Sequence, residues 1–308
     1  MTLLERLLTG DRRALARAAT LVENQTKEGQ ALLQQIFRNT GHALTLGITG
    51  PPGAGKSTLT DQLIRHFRAE AKRVAVIAVD PTSPYSGGAI LGDRIRMNAH
   101  HADEGVFVRS MATRGAMGGL AHTTAGLVML LDAAGWDVIL IETVGVGQDE
   151  VEIAQLAQAV LVVLVPGMGD DVQAIKAGIM EIADVFVLNK ADQPGIEKLE
   201  REVQYMLTLG GERAPRILRT VATEGQGVAE VASAAQAVAA APASQERRVS
   251  AWRHRLRNMV RARLLDRLPL AELDDLAVQV AAREKEPVSA IDEWIQSSLD
   301  RSFGHRRP

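Results

Sequence analysis

The sequence predicts an α/β fold, a mostly parallel sheet covered by helices on both faces, from two features. Seven short β-branched runs, at 43–49, 74–79, 106–108, 138–141, 160–165, 185–188 and 217–221, alternate with stretches of helical periodicity. Strands that alternate with helices pair in parallel and are buried on both sides. The polar motifs follow these runs directly, at the carboxyl ends of the expected strands, where sheets of this kind hold ligands.

Before the first run, residues 1–40 carry Leu3, Leu4, Leu7 and Leu8, then Leu32, Leu33, Ile36 and Phe37, at helical spacing. An N-terminal helical segment packed on the main domain is expected. Charges interrupt its apolar residues every few positions, which suits an amphipathic helix and not a secretion signal.

The first strand run ends in GITGPPGAGKST, with Gly50, Gly55, Lys56 and Ser57 in the spacing Gly-x-x-x-x-Gly-Lys-Ser, and passes directly into a helical pattern. This is a phosphate-binding P-loop. Glycines let backbone N–H groups curl round phosphates, a lysine reaches the β- and γ-phosphates, and a serine hydroxyl ligates Mg²⁺. The positive end of the following helix points at the same anion. Gly50, Gly53, Ala54, Gly55, Lys56, Ser57 and Thr58 are the candidate phosphate contacts, so a P-loop NTPase is expected.

Asp80 ends the second run and opens a Pro-, Ser- and Gly-rich loop that also carries Asp93. Alone, Asp80 reads as a turn residue. After a strand in a P-loop protein, it can hold Mg²⁺-bound water or the attacking water. In DVILIETVGVGQ, Glu142 stands where a Walker B acid belongs, and Thr143 and Gly145 suit a loop that contacts a γ-phosphate and releases it after hydrolysis. Lys56, Asp80 and Glu142 are therefore candidate catalytic residues, and Ser57, Asp80 and Glu142 the candidate metal ligands. Gln148 has the chemistry to orient a water, a role that spacing alone leaves open. Asp170 and Asp171, in VPGMGDDVQAIK, read as ordinary helix-start acids.

The run VFVLNKAD brings Asn189, Lys190 and Asp192 to a strand end. Asp192 can accept hydrogen bonds from N1–H and the 2-amino group of guanine, donors that adenine lacks. The Lys190 stem can cover the base while Asn189 ties neighbouring loops. GTP is thus expected over ATP. Ala222 and Thr223, in TVATEGQG, form either a second wall for the base or a plain strand-to-helix turn.

With 308 residues, 46% hydrophobic and 23% charged, the chain can bury a large core, and a net charge of -2 supplies no global field for nucleic acid or a membrane surface. Cysteine is absent, which excludes disulfides and thiolate chemistry. No run is long and apolar enough for a membrane span, so a cytoplasmic location is expected. The alanine-rich stretch 232–244 reads as the last helix of a domain covering 41–243. Beyond it, 246–268 carries eight arginines, with Val249, Trp252, Leu256, Val260 and Leu264 as an apolar stripe that Trp294 and Leu299 extend. The acidic segment 272–293 can neutralise those arginines, which favours a packing helix over a nucleic-acid surface. The stripe implies a helical dimerisation arm over 244–308.

Taken together, GITGPPGAGKST, VDPTSPYSGGAILGDRIRM, RSMATRGAMGGL, IETVGVGQDE, VPGMGDDVQAIKAGI and NKAD resemble the MeaB and ArgK-like GTPase family over roughly residues 1–300. That resemblance implies a GTP/GDP- and Mg²⁺-binding chaperone for an adenosylcobalamin-dependent acyl-CoA mutase of the methylmalonyl-CoA mutase type, gating cofactor loading and protecting the mutase. It also implies a homodimer and leaves an adenosyltransferase as a further partner. By position it places Asp93, with Asp80 and Glu142, in the Mg²⁺ and water environment as a further candidate catalytic residue, and Asp170, Gln173 and Lys176 in what the family uses as an additional switch loop. Two other classes stay in view: an ArgK-type kinase of a transport protein, and a metal-insertion GTPase. The second lacks a loading cluster, since the seven histidines stand mostly apart and the His100-His101 pair, without i, i+4 spacing, reads as surface.

Overall fold

The computed structural model describes residues 1–80, 100, 102–112, 119–143, 155–167, 179–209, 215–265 and 268–303. These hold seven strands: β1 (Leu44–Thr49), β2 (Val74–Asp80), β3 (Val106–Ala112), β4 (Val138–Thr143), β5 (Ala159–Leu164), β6 (Val185–Asn189) and β7 (Arg216–Thr220). They form one sheet in the order β3-β2-β4-β1-β5-β6-β7, with every pairing parallel. β2, β3 and β4 lie to one side of β1, and β5, β6 and β7 to the other. The strand order therefore reverses at β1, and a crevice for a ligand opens at its carboxyl end.

The inner strands are mostly apolar because both faces are covered, with polar residues gathered chiefly at their carboxyl ends. On one face, Leu46, Ile48, Leu140 and Leu161 pack with Leu59, Leu63 and Phe67 of α4 (Lys56–Ala69) and Val231 and Ala235 of a later helix, Val228–Ala240. On the other, Ile77, Ile139 and Ile141 meet three N-terminal helices and α5 (Gly119–Ala133). Farther along that face, Val162 and Phe186 pack with Leu199 and Val203 of the helix Ile196–Leu209.

The N-terminal helices are α1 (Leu3–Leu8), α2 (Arg12–Glu23) and α3 (Lys27–Ile36). Each starts at a polar cap. Thr2 and Glu5 exchange side-chain and backbone bonds in a capping box, the Asp11 carboxylate accepts from the amides of Arg13 and Ala14, and Thr26 accepts from Gly29. The Ala14 amide, then Arg6 and the Arg13 amide, hold the Asp11 carboxyl below the usual carboxylate range. Leu15, Ala18, Ala19 and Val22 make the buried stripe of α2.

Carboxylates secure the strand starts. Asp132 accepts the amides of Gly41, His42 and Ala43 at 2.5, 3.1 and 3.0 Å just before β1. Asp137 accepts the Arg73 amide at 2.7 Å before β2, and Asp184 the Val160 amide at 2.9 Å in β5.

Residues 1–248 form one compact unit and 249–308 a second. The boundary lies inside the helix Ala243–Leu265, which no Gly or Pro interrupts. In the second unit, Glu272 at the start of the helix Glu272–Ala281 accepts a bidentate pair from Arg301 at 2.8 and 2.7 Å and the Trp294 indole N–H at 3.2 Å. Trp294 and Arg301 lie on the helix Pro287–Phe303. Among the described residues no helix is long and apolar enough to cross a membrane.

Candidate functional site

The site stands on the carboxyl ends of β1, β4 and β6. Gly50 leaves β1 at φ +138°, and a Cβ there would lie 2.2 Å from the Val163 carbonyl oxygen, so the loop runs against β5 with no space for a side chain. Gly55 closes the loop at φ +88°, where a Cβ would lie 2.4 Å from Asn189 Nδ2. Both glycines thus serve close approach as well as backbone conformation, and Gly53 takes φ +77° between them. α4 begins directly after Gly55 without a side-chain cap, an arrangement suited to binding an anion at its first turn.

Lys56 is buried, and its ammonium donates to the carbonyls of Gly50 at 2.7 Å and Pro51 at 3.0 Å. The Ser57 hydroxyl donates to Glu142 Oε1 at 2.5 Å. Glu142 is itself only 4% exposed, and it reaches the loop because β4 lies directly beside β1, with Glu142 in register with Ile48. Thr58 is half-buried in the first turn. On the opposite face of the same strand tips, Thr143 donates to Thr49 Oγ1 at 3.0 Å.

Asn189, 3% exposed, ties three segments. Its Nδ2 donates to the Ala54 carbonyl at 2.9 Å, and its Oδ1 accepts from Thr220 Oγ1 and the Ala222 amide, both at 3.1 Å. Lys190 follows at φ +55°, a left-handed turn that leads to the exposed Asp192. Ala222 is buried and Thr223 exposed, in a turn that the Val221 amide closes onto the Gln226 carbonyl at 3.2 Å. The segment TVATEGQG is a strand-to-helix turn, and Asn189 fastens it beside the P-loop.

Ser57 with Glu142, and Asn189 with Ala54 and Ala222, are thus brought together. Asp80 closes β2 by its backbone, and its side chain lies outside the described residues. So do Asp93, Gly145, Gln148, Asp170, Gln173 and Lys176. His100 corrects the surface reading: its side chain is 11% exposed, with Nε2 2.6 Å from Asp61 Oδ1 on α4. Thr49 was missed because it ends an apolar strand. A hydroxyl in a strand covered on both faces was the available signal.

Ser57 and Glu142 offer adjacent hard oxygen donors. No group of three or more His, Asp or Glu that could hold a metal occurs among the described residues. Mg²⁺, which keeps several waters and takes one or two protein ligands beside phosphate oxygens, is the cation such a pair suits.

A parallel sheet with a glycine-lysine-serine loop at its switch point, and a strand-end acid beside that loop, defines a P-loop NTPase. The family model described as Methylmalonyl Co-A mutase-associated GTPase MeaB matches residues 15–272, and the chain belongs to that family. A relative from Pyrococcus horikoshii is 55% identical over 235 residues, 74% of each chain. The GTPase ArgK of Escherichia coli is 41% identical over 239 residues, 74% of this chain and 72% of its own. A crystal structure of the LAO/AO transport system kinase is similar with a TM-score of 0.70 at 29% identity, covering 96% of this chain and 95% of that one.

Proposed function

We propose that the chain hydrolyses GTP slowly by itself and couples that cycle to an adenosylcobalamin-dependent acyl-CoA mutase, gating cofactor loading and protecting the mutase. The carrying observation is the match of residues 15–272 to a mutase-associated GTPase family. The Asn189 tether supports the guanine part, since it holds the NKAD segment and the Ala222 turn against the phosphate loop.

In this reading Asp192 accepts the two guanine donors and the Lys190 stem covers the base. The loop amides and Lys56 take the phosphate charge, and Lys56 stabilises the charge that builds on the β–γ bridging oxygen and γ-phosphate. Ser57, Asp80 and Glu142 would hold Mg²⁺, with Asp93 in the water environment beside it. The cation, when bound, neutralises phosphate oxygens. The chain acts in the cytoplasm as a homodimer, with an adenosyltransferase as a further partner of the mutase.

The test compares GTP and ATP hydrolysis with Mg²⁺ or EDTA, with and without purified methylmalonyl-CoA mutase. Slow, Mg²⁺-dependent turnover of GTP that rises with the mutase is expected. Equal use of ATP would remove the guanine reading, and no binding to the mutase would remove the coupling. A second reading, an ArgK-type kinase of a transport protein, is favoured by the likeness to the LAO/AO transport system kinase. Radiolabelled γ-phosphate found on an added protein would support it.

A further inference from the structure

The sheet face under α1–α3 and α5 is apolar, yet two hydroxyls meet at its upper edge. Thr49 is fully buried, Thr143 is 2% exposed, and their oxygens lie 3.0 Å apart. Packing does not require them, because valine fills the same shape and needs no partner. Thr49 directly precedes Gly50, and Thr143 directly follows Glu142. Side chains alternate along a strand, so the last two residues of β4 engage the phosphate loop and its strand from both faces. Glu142 receives Ser57 on one face, and Thr143 grips Thr49 on the other.

We infer that the Thr49–Thr143 bond is a positioning contact. It fixes the tip of β4 against β1, so that the Glu142 carboxylate keeps its place beside Ser57 and the segment leaving β4 starts from one point relative to the phosphates. Neither threonine touches nucleotide in this scheme, and both act through Glu142. The inference rests on the hydrolase reading above.

The variants are Thr49→Val, Thr143→Val, the double valine chain and Thr143→Ser, each read by kcat and KM for GTP and by thermal unfolding. Each single valine should lower kcat roughly tenfold with KM within about threefold, since displaced groups slow chemistry more than binding. Thr143→Ser keeps the hydroxyl and should keep most of the turnover. The double valine chain strands no buried hydroxyl, so it should unfold near the parent temperature while remaining as slow as the singles. That split separates positioning from mere stability, and it survives if a single variant fails to fold. Parent-like kcat in the double chain would overturn the inference alone, as would a loss confined to KM. A parent chain without GTP turnover would remove the hydrolase reading and this inference with it.

Discussion

Asn189 Nδ2 lies 2.9 Å from the Ala54 carbonyl, so one buried amide joins the NKAD segment to the phosphate loop. The same side chain holds Thr220 and the Ala222 amide, which makes it a three-way bracket. Asn189→Ala should strand these partners at about 1–3 kcal/mol each where they stay buried, less whatever water recovers. The expected outcome is a clearly lower unfolding temperature together with weaker GTP binding, read by calorimetry on one preparation. An unfolding temperature equal to the parent would contradict it.

Asp192 is exposed and free to meet a base. Two charge-assisted bonds to guanine are worth on the order of 2 to 4 kcal/mol. Asp192→Asn should lose GTP affinity to that degree and gain preference for xanthosine triphosphate. Competition between the two nucleotides measures it.

Lys56 is held by two loop carbonyls at hydrogen-bond distance. Lys56→Ala should cut hydrolysis by a factor on the order of 10² or more, since it removes a charge aimed at the developing negative oxygens. Ser57→Ala should instead raise the Mg²⁺ concentration needed for turnover. A magnesium titration at saturating GTP distinguishes the two effects.

In the C-terminal unit, Arg301 first, then Trp294, holds the Glu272 carboxyl below its usual value. A depressed folded pKa stabilises above the unfolded value, and that contribution is lost as pH falls through the folded one. Acid titration followed by circular dichroism should show this unit losing helix at low pH. Arg301→Gln and Glu272→Gln should each flatten that part of the dependence, since either removes the pairing that depresses the carboxyl.

Trp252, Leu256 and Val260 remain 38%, 55% and 58% exposed in the single chain. Covering such side chains contributes roughly 1.5–3 kcal/mol each when burial is complete. Ending the chain at Arg248 should leave a folded, GTP-binding unit that light scattering reports as a monomer, against a dimer for the full chain. A dimer in both would move the interface into residues 1–248.

Strand positions were legible because inner strands announce themselves as unbroken apolar runs. β3 departs furthest: the run 106–108 extends to Ala112, through Arg109 and Ser110. β3 is an edge strand, and Arg109 is held by Glu23 of α2 at 2.7 Å, a pairing between residues distant in sequence that no local pattern records. The P-loop and NKAD segments were legible for a different reason, since their backbone geometry demands particular residues. Asn189 was expected to tie loops, but its partners Ala54, Thr220 and Ala222 depend on strand order, which periodicity does not encode. The burial of His100 against Asp61 likewise depends on where a distant segment returns to α4.

The carboxylates of Asp132, Asp137 and Asp184 anchor strand starts, whereas the phosphate and base segments leave strand ends. The sheet is about six residues deep, so anchorage and chemistry are separated by roughly 20 Å of packed apolar side chains. Changes at sites that far apart, with no shared partners, act nearly additively. Substitutions at the lower rim can therefore tune heat tolerance while leaving the phosphate and base segments as they stand.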